Sequence, residues 1–245
     1  FVARDTQSLE SCKHLCKVDL INFTRDFLRA AKNGNSIDPF LTELLGISEA
    51  NILKELEEDT SKKVFWINLY NAFVLIEFRN KSKLNYDTKV AYFQGISLSL
   101  DEIEHGVLRG SKSKLGLGYF RKWNVSSFEK LARVNSTDYR VHFALNCGAN
   151  SCPPIFVFSK DRLGDDLDLV TQNYLLDSIC FKQNENVLKV PRLCLWYFCD
   201  FGGFKGIQRM LKRYNIVAPD VFPKIGFLKY DRSVNTNNFS IQIDA

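Results

Sequence analysis

Two cysteines lie close together in the stretch Asn146-Cys147-Gly148-Ala149-Asn150-Ser151-Cys152-Pro153-Pro154. Gly148 permits a tight turn, small neighbours leave backbone N–H groups approachable, and two prolines stiffen the exit. A cysteine beside exposed amides is how a thiolate is stabilised. Three chemistries fit: a thiol nucleophile, a structural or redox-sensitive loop, and a metal site built on His142, Cys147 and Cys152. The spacing lacks the short Cys-x2-Cys knuckle of structural zinc, so neither a metal nor a cofactor is expected.

A thiol nucleophile needs a base within hydrogen-bond reach. His142 precedes Cys147 by five residues, and residues 139–146 alternate as a strand does, with Tyr139, Val141, Phe143 and Leu145 on one face. At ~3.3 Å per residue the two backbones would stand roughly 16 Å apart. This excludes a His142–Cys147 dyad and leaves His105 as the base for Cys147. Cys152, beyond the glycine turn, could fold back beside the strand. His105 and Arg109 fall four apart on one helical face, as an ion-pairing surface or an anion-binding, acid–base pair. Asn68 and Asn71 fall three apart on a helix that is apolar nearly all the way round, with Phe65, Trp66, Ile67, Leu69, Tyr70, Phe73, Val74, Leu75 and Ile76. Such a helix is buried on most sides. The two amides then either tie loop backbone to the core or line a pocket as orienting or oxyanion-binding groups.

The elements that position these residues follow from periodicity and stop signals. Helices are predicted over 18–32, ended by Gly34 and Pro39, then over 39–45, 48–57 and 62–81. A short strand is expected at 94–98. Ser99-Leu100-Asp101-Glu102 is a capping box opening a helix to Arg109, and Ser126-Ser127-Phe128-Glu129 is a second one. Residues 110–118 form a loop. Further helices are predicted at 160–180, 192–199 and 204–214, with strands near 186–191, 225–230 and 239–243. Helices and strands do not alternate regularly, which points to an α+β fold: a small central sheet packed by helices around a Phe-rich core. Residues 1–17 read as a loosely ordered segment and 18–245 as a single compact domain.

Composition narrows the function classes. The 245 residues suffice for a real core without disulfide staples. Twenty phenylalanines against one methionine imply a stiff aromatic interior. A net charge of +5 without a dense basic tract argues against nucleic acid. No apolar run is long enough to span a bilayer. Seven cysteines, an odd number, favour a reducing, intracellular (cytoplasmic) setting. Sequons at Asn22, Asn80, Asn124, Asn135 and Asn238 are the counter-signal for secretion. Cys180, Cys194 and Cys199 sit among apolar residues and read as unreactive, and Cys12-x-His14-x-Cys16 is a weak ligand set near the start. A chain opening on Phe1 reads as a piece of a longer protein.

Residues 65–72, 100–109, 140–147 running on to 151–154, Trp196-Tyr197 and Asp200-Phe201 together resemble the domain-of-unknown-function family number 547. Tyr230-Asp231-Arg232-Ser233-Val234-Asn235 is similar to that family's terminal Tyr-Asp-Trp-Ser-x-Asn stretch, with Arg232 in place of the tryptophan. The resemblance covers about residues 50–235. It implies a domain whose activity is not established, found in eukaryotic relatives beside coiled-coil, glutaredoxin or other signalling modules. Two functions stay open. One is a cysteine-dependent hydrolase or acyltransferase pocket using Cys147 or Cys152, His105 or His142, Asn68 or Asn71, and Arg109, on a small molecule or peptide. The other is a non-catalytic module that binds a protein partner.

Overall fold

Helix α4, Asp59–Asn80, is the centre of the structure, a computed structural model that describes residues 18–80, 84–182 and 187–235. From Val64 to Leu75 every side chain is buried, so this helix has no solvent face along that length. Helix α1, Leu20–Asn33, lies along it. Its apolar stripe of Leu20, Phe23, Phe27, Leu28 and Ala31 faces inward, and Phe27 meets Phe73 edge-on at 5.6 Å. Asp19 caps its start by accepting from the amides of Ile21 and Asn22, and Gly34 ends it in the left-handed conformation. Helix α2, Asp38–Gly46, opens with Pro39 in its first turn, and α3, Glu49–Glu55, is capped by Ser48.

The strands form two small sheets. β1, Lys89–Tyr92, pairs antiparallel with β2, Ser97–Ser99. In the second sheet β3, Cys180–Lys182, runs antiparallel to β4, Val187–Val190, and β5, Lys224–Phe227, runs parallel to it. Helices α5, Ser127–Ala132, α6, Leu163–Ser178, α7, Leu193–Trp196, and α8, Gly203–Arg213, complete an α+β fold with a Phe-rich interior. One apolar cluster surrounds α4; a second gathers Phe143, Leu175, Leu188, Val190, Phe201, Ile207 and Leu211.

Several expectations are corrected. Residues 139–146 are not a strand: Tyr139–Phe143 is a 3-10 turn, capped by the Asp138 carboxylate on the Arg140 amide. Residues 141–146 are all buried, so their alternation marks no inner and outer face. The helix opened by the Ser99–Glu102 box forms, with both reciprocal bonds of the box in place, but Glu102–Leu108 winds as a π-helix. The helix predicted to 180 stops at Ser178, and Cys180 begins β3. Residues 1–17, with Cys12, His14 and Cys16, the sequon at Asn238 and the strand at 239–243 lie outside the described residues.

Candidate active site

Asn68 and Asn71 do structural work. Asn68 accepts from the Phe158 amide (3.0 Å) and donates to its carbonyl (2.9 Å). Asn71 donates to the Ala144 carbonyl (2.9 Å) and accepts from the Asn146 amide (3.1 Å). Asn146, itself fully buried, passes the support on. Its Oδ1 accepts from Gly148 N–H (2.6 Å) and its Nδ2 donates to the Pro153 carbonyl (2.5 Å). The cysteine loop is thus tied to α4 through two asparagines. Gly148 has φ +75°, and a Cβ there would fall 1.8 Å from the Phe78 ring, so no other residue fits this turn.

Within that loop Cys147 and Cys152 are joined in a disulfide. The reading of free thiols does not hold for this form of the protein. The Cys147 amide donates to the Cys152 sulfur (2.9 Å), and the Tyr230 hydroxyl sits 2.9 Å and 3.1 Å from the two sulfurs. Tyr230 arrives on a strap, residues 230–235, that lies across the loop. Asn150 N–H donates to the Ser233 carbonyl, Ser151 N–H to Asp231, and Asn235 N–H to Gly148. Trp196 packs on Tyr230 with ring centroids 4.6 Å apart.

The π-helical turn supplies the other wall. A π-helix places i and i+5 in register, and such turns recur at functional sites. Here the Arg109 amide donates to the Glu104 carbonyl (2.9 Å). The Arg109 side chain is buried; its Nε donates to Asp200 Oδ2 (2.7 Å) and its terminal nitrogen to His105 Nδ1 (2.7 Å). Asp200, whose side chain is wholly buried, also accepts from Lys112 (2.6 Å) and His142 Nε2 (2.9 Å). His142 stacks on Tyr197 at 3.8 Å, and the Tyr197 hydroxyl donates to Glu104 Oε1 (2.6 Å). Tyr70 donates to the other oxygen of Glu104 (3.4 Å).

Protonation states follow from these contacts. Burial opposes charge on Asp200, but hydrogen bonds from His142 and Arg109 outweigh it and hold the carboxyl well below the ordinary range. Burial likewise opposes ionisation of Glu104, yet His105 and the Tyr197 hydrogen bond keep it below its usual value. Burial lowers both His105 and His142 and leaves them neutral at pH 7. It raises Tyr230 and pushes Tyr86 up to about 12. Arginine only donates, so His105 accepts at Nδ1 and that lone pair is occupied. A carboxylate only accepts, so His142 carries its proton on Nε2 and keeps its lone pair on Nδ1.

A cavity of about 770 Å³ joins these parts. Its lining includes Glu104, His105, His142, Cys147, Cys152, Trp196, Tyr197 and Tyr230. Asn68, Asn71 and Arg109 do not line it. Among the described residues no group of three His, Cys, Asp or Glu could hold a metal ion. Glu104, Tyr197, Asp200 and Tyr230 escaped the reading of the sequence as chemical residues. The signal lay in Trp196-Tyr197, Asp200-Phe201 and 230–235, which stood out as motifs without an evident task.

The family described as Protein of unknown function, DUF547, matches residues 53–175, half of the chain. The chain belongs to that family. The DUF547 match contains the π-helical turn, the 3-10 turn and the cysteine loop, whereas Asp200, Tyr197 and Tyr230 fall beyond it. No curated protein and no solved structure matches this DUF547 chain.

Proposed function

We propose that the cavity carries thiol-dependent acyl transfer or hydrolysis, performed by the reduced form of the Cys147–Cys152 pair. One observation carries the reading: both sulfurs and a histidine held through Nε2 by a buried aspartate line the same cavity. A dithiol reductant first takes up the disulfide, giving two thiols while it is itself oxidised. Cys147 is the nucleophile, because it is half-buried and Cys152 is buried. His142 Nδ1 removes the Cys147 proton, and the thiolate attacks a carbonyl carbon to form a C–S bond. The leaving group departs with the proton returned by the imidazolium. Water or an acceptor, deprotonated in turn by His142, then breaks the C–S bond and restores the thiol. Asp200 orients the imidazole. His142 thus takes the role that the strand reading had assigned to His105, since residues 142–147 are not the extended strand on which its exclusion rested. The chemistry requires a compartment that supplies a thiol reductant, the intracellular setting to which the odd cysteine count points.

The test is acylation by p-nitrophenyl acetate and by a short-chain thioester, read by intact mass and peptide mapping. Reductant-dependent acylation at Cys147 is expected, lost in Cys147→Ser and slowed about 10²-fold or more in His142→Ala. Absence of reductant-dependent acylation at Cys147 overturns the proposal. A second reading, a non-catalytic interaction module, is favoured by Asn68, Asn71 and Arg109. These motif residues are buried, bonded to other parts of the fold and not among those that line the cavity.

A further inference from the structure

Residues 111–122 fold back on themselves. Lys122 N–H donates to the Ser111 carbonyl and Ser113 N–H to Phe120, both at 2.8 Å, and Lys112 bridges to Arg121. The tip, Gly116–Gly118, is a 3-10 turn that holds Leu117 at φ 56°. A Cβ on Gly116 would lie 2.2 Å from the Phe120 ring, so Phe120 packs where no other residue would let it. The Cys199 amide pins the tip to the body by donating to the Leu117 carbonyl (3.0 Å).

This ordered hairpin presents apolar side chains to water. Leu115 is 76% exposed, Tyr119 60%, Phe120 64% and the following Trp123 102%. Single exposed hydrophobes are ordinary, but a cluster held in place by backbone hydrogen bonds marks a contact surface. The Tyr119 hydroxyl reaches the surface at Gly203, so the exposed Phe204 extends the patch. Charge selects the partner. Neither 110–126 nor 201–217 contains an Asp or Glu, and each contains four Lys or Arg. Some of these cations are already paired: Lys112 with Asp200, Lys114 with Asp101 and the exposed Asp87, and Lys122 with Glu129. Arg121 and Lys205 are exposed and have no ion pair among the described residues.

We propose that this face docks the protein on an anionic lipid surface. Trp and Tyr favour the headgroup level, leucine and phenylalanine reach the acyl boundary, and two segments that carry lysine and arginine but no acid of their own match negative headgroups. Lys114, Leu115, Gly116 and Leu117 also line the cavity. Docking would therefore hold the cavity mouth against the membrane, whatever reaction the cavity performs.

The test is co-sedimentation of the full chain with phosphatidylcholine vesicles, with and without phosphatidylserine. Pelleting is expected only with phosphatidylserine, weakened by added salt. Trp123→Ala should lower apparent affinity about tenfold, and Arg121→Glu by more than about tenfold. Trp123 is fully exposed, so its variant should melt as the parent does, which a thermal scan checks. The proposal is overturned if anionic vesicles do not pellet the protein, or if the two variants pellet as well as the parent. It is also overturned if the unliganded chain self-associates through Trp123, since a second copy would then cover the face.

Discussion

Asp200 balances more charge than any other residue of the site. It accepts from Arg109, Lys112 and His142 while its own side chain is shut away from water. Asp200→Asn removes the anion and leaves Arg109 buried against a neutral amide. Breaking such a pair from one side costs about 3–5 kcal/mol, so a large drop in denaturant midpoint is expected. An unchanged midpoint would show that the network contributes little. The pH dependence has a defined sign. His142 has a folded pKa below its unfolded value, so the unfolded chain binds that proton more readily and acid favours unfolding. Stability should be full above about pH 6.5, the unfolded histidine value, and fall below it. Asp200, also depressed, adds a second loss below about pH 4, the unfolded aspartate range. His105 is depressed in the same way, so His142→Gln should shrink the first decline to the share of His105 and keep the second, a comparison of urea melts at several pH values. Among the thiols, Cys194 is buried and its pKa is raised by burial, as expected of an inert core cysteine. Cys180 departs from expectation, because it opens an edge strand and is exposed. Among the cysteines of the described residues, maleimide should therefore label Cys180 first and Cys194 last, with Cys147 and Cys152 modified only after reduction. Early labelling of Cys194 would contradict its burial.

At the scale of elements, α4 was the most legible part of the chain. Its all-round apolar surface has one physical outcome, burial on every side, and the asparagines within it must then be bonded. Asn68→Leu strands the Phe158 amide and carbonyl; Asn71→Leu strands those of Asn146 and Ala144. Each substitution should cost about 1–3 kcal/mol, seen as a lower urea midpoint at unchanged slope. No loss in either variant would mean that the loops re-pair or admit water. Caps were equally legible, because Ser99 and Glu102 satisfy each other across three residues whatever the rest of the fold does. The misread element was 139–146. Alternation identifies a strand only when one face meets water, and here the walls of both apolar clusters enclose the segment. Phe143 belongs to one cluster, Val141 and Leu145 to the other. The π-helical winding was not legible either, since it is set by tertiary demands on Glu104, His105 and Arg109 and not by local propensity. The same holds for the disulfide: five residues of separation permit it, but Gly148, Asn146 and the strap at 230–235 bring the sulfurs together.

At the scale of the molecule, the cavity lies where the two apolar clusters meet. Leu84 and Leu145 belong to the cluster around α4; Leu193, Trp196 and Tyr197 belong to the other, and all five line the cavity. The DUF547 match, residues 53–175, contains most of the first cluster and little of the second. A fragment cut to those bounds would lose α1 and expose the face of α4 that Phe23, Phe27, Leu28 and Ala31 cover. It would strip Phe201, Ile207 and Leu211 from Phe143 and Leu175. It would also leave Arg109 and His142 without Asp200, and the cysteine loop without Tyr230. Losses of this size exceed the usual 5–15 kcal/mol of net stability. We therefore predict that residues 53–175 alone give no cooperative thermal transition and no near-ultraviolet circular dichroism, whereas residues 18–235 retain both. A sharp, reversible melt of the shorter fragment would show that it folds without α1, Asp200 and the strap, and that the matched segment and the rest of the chain are separate units.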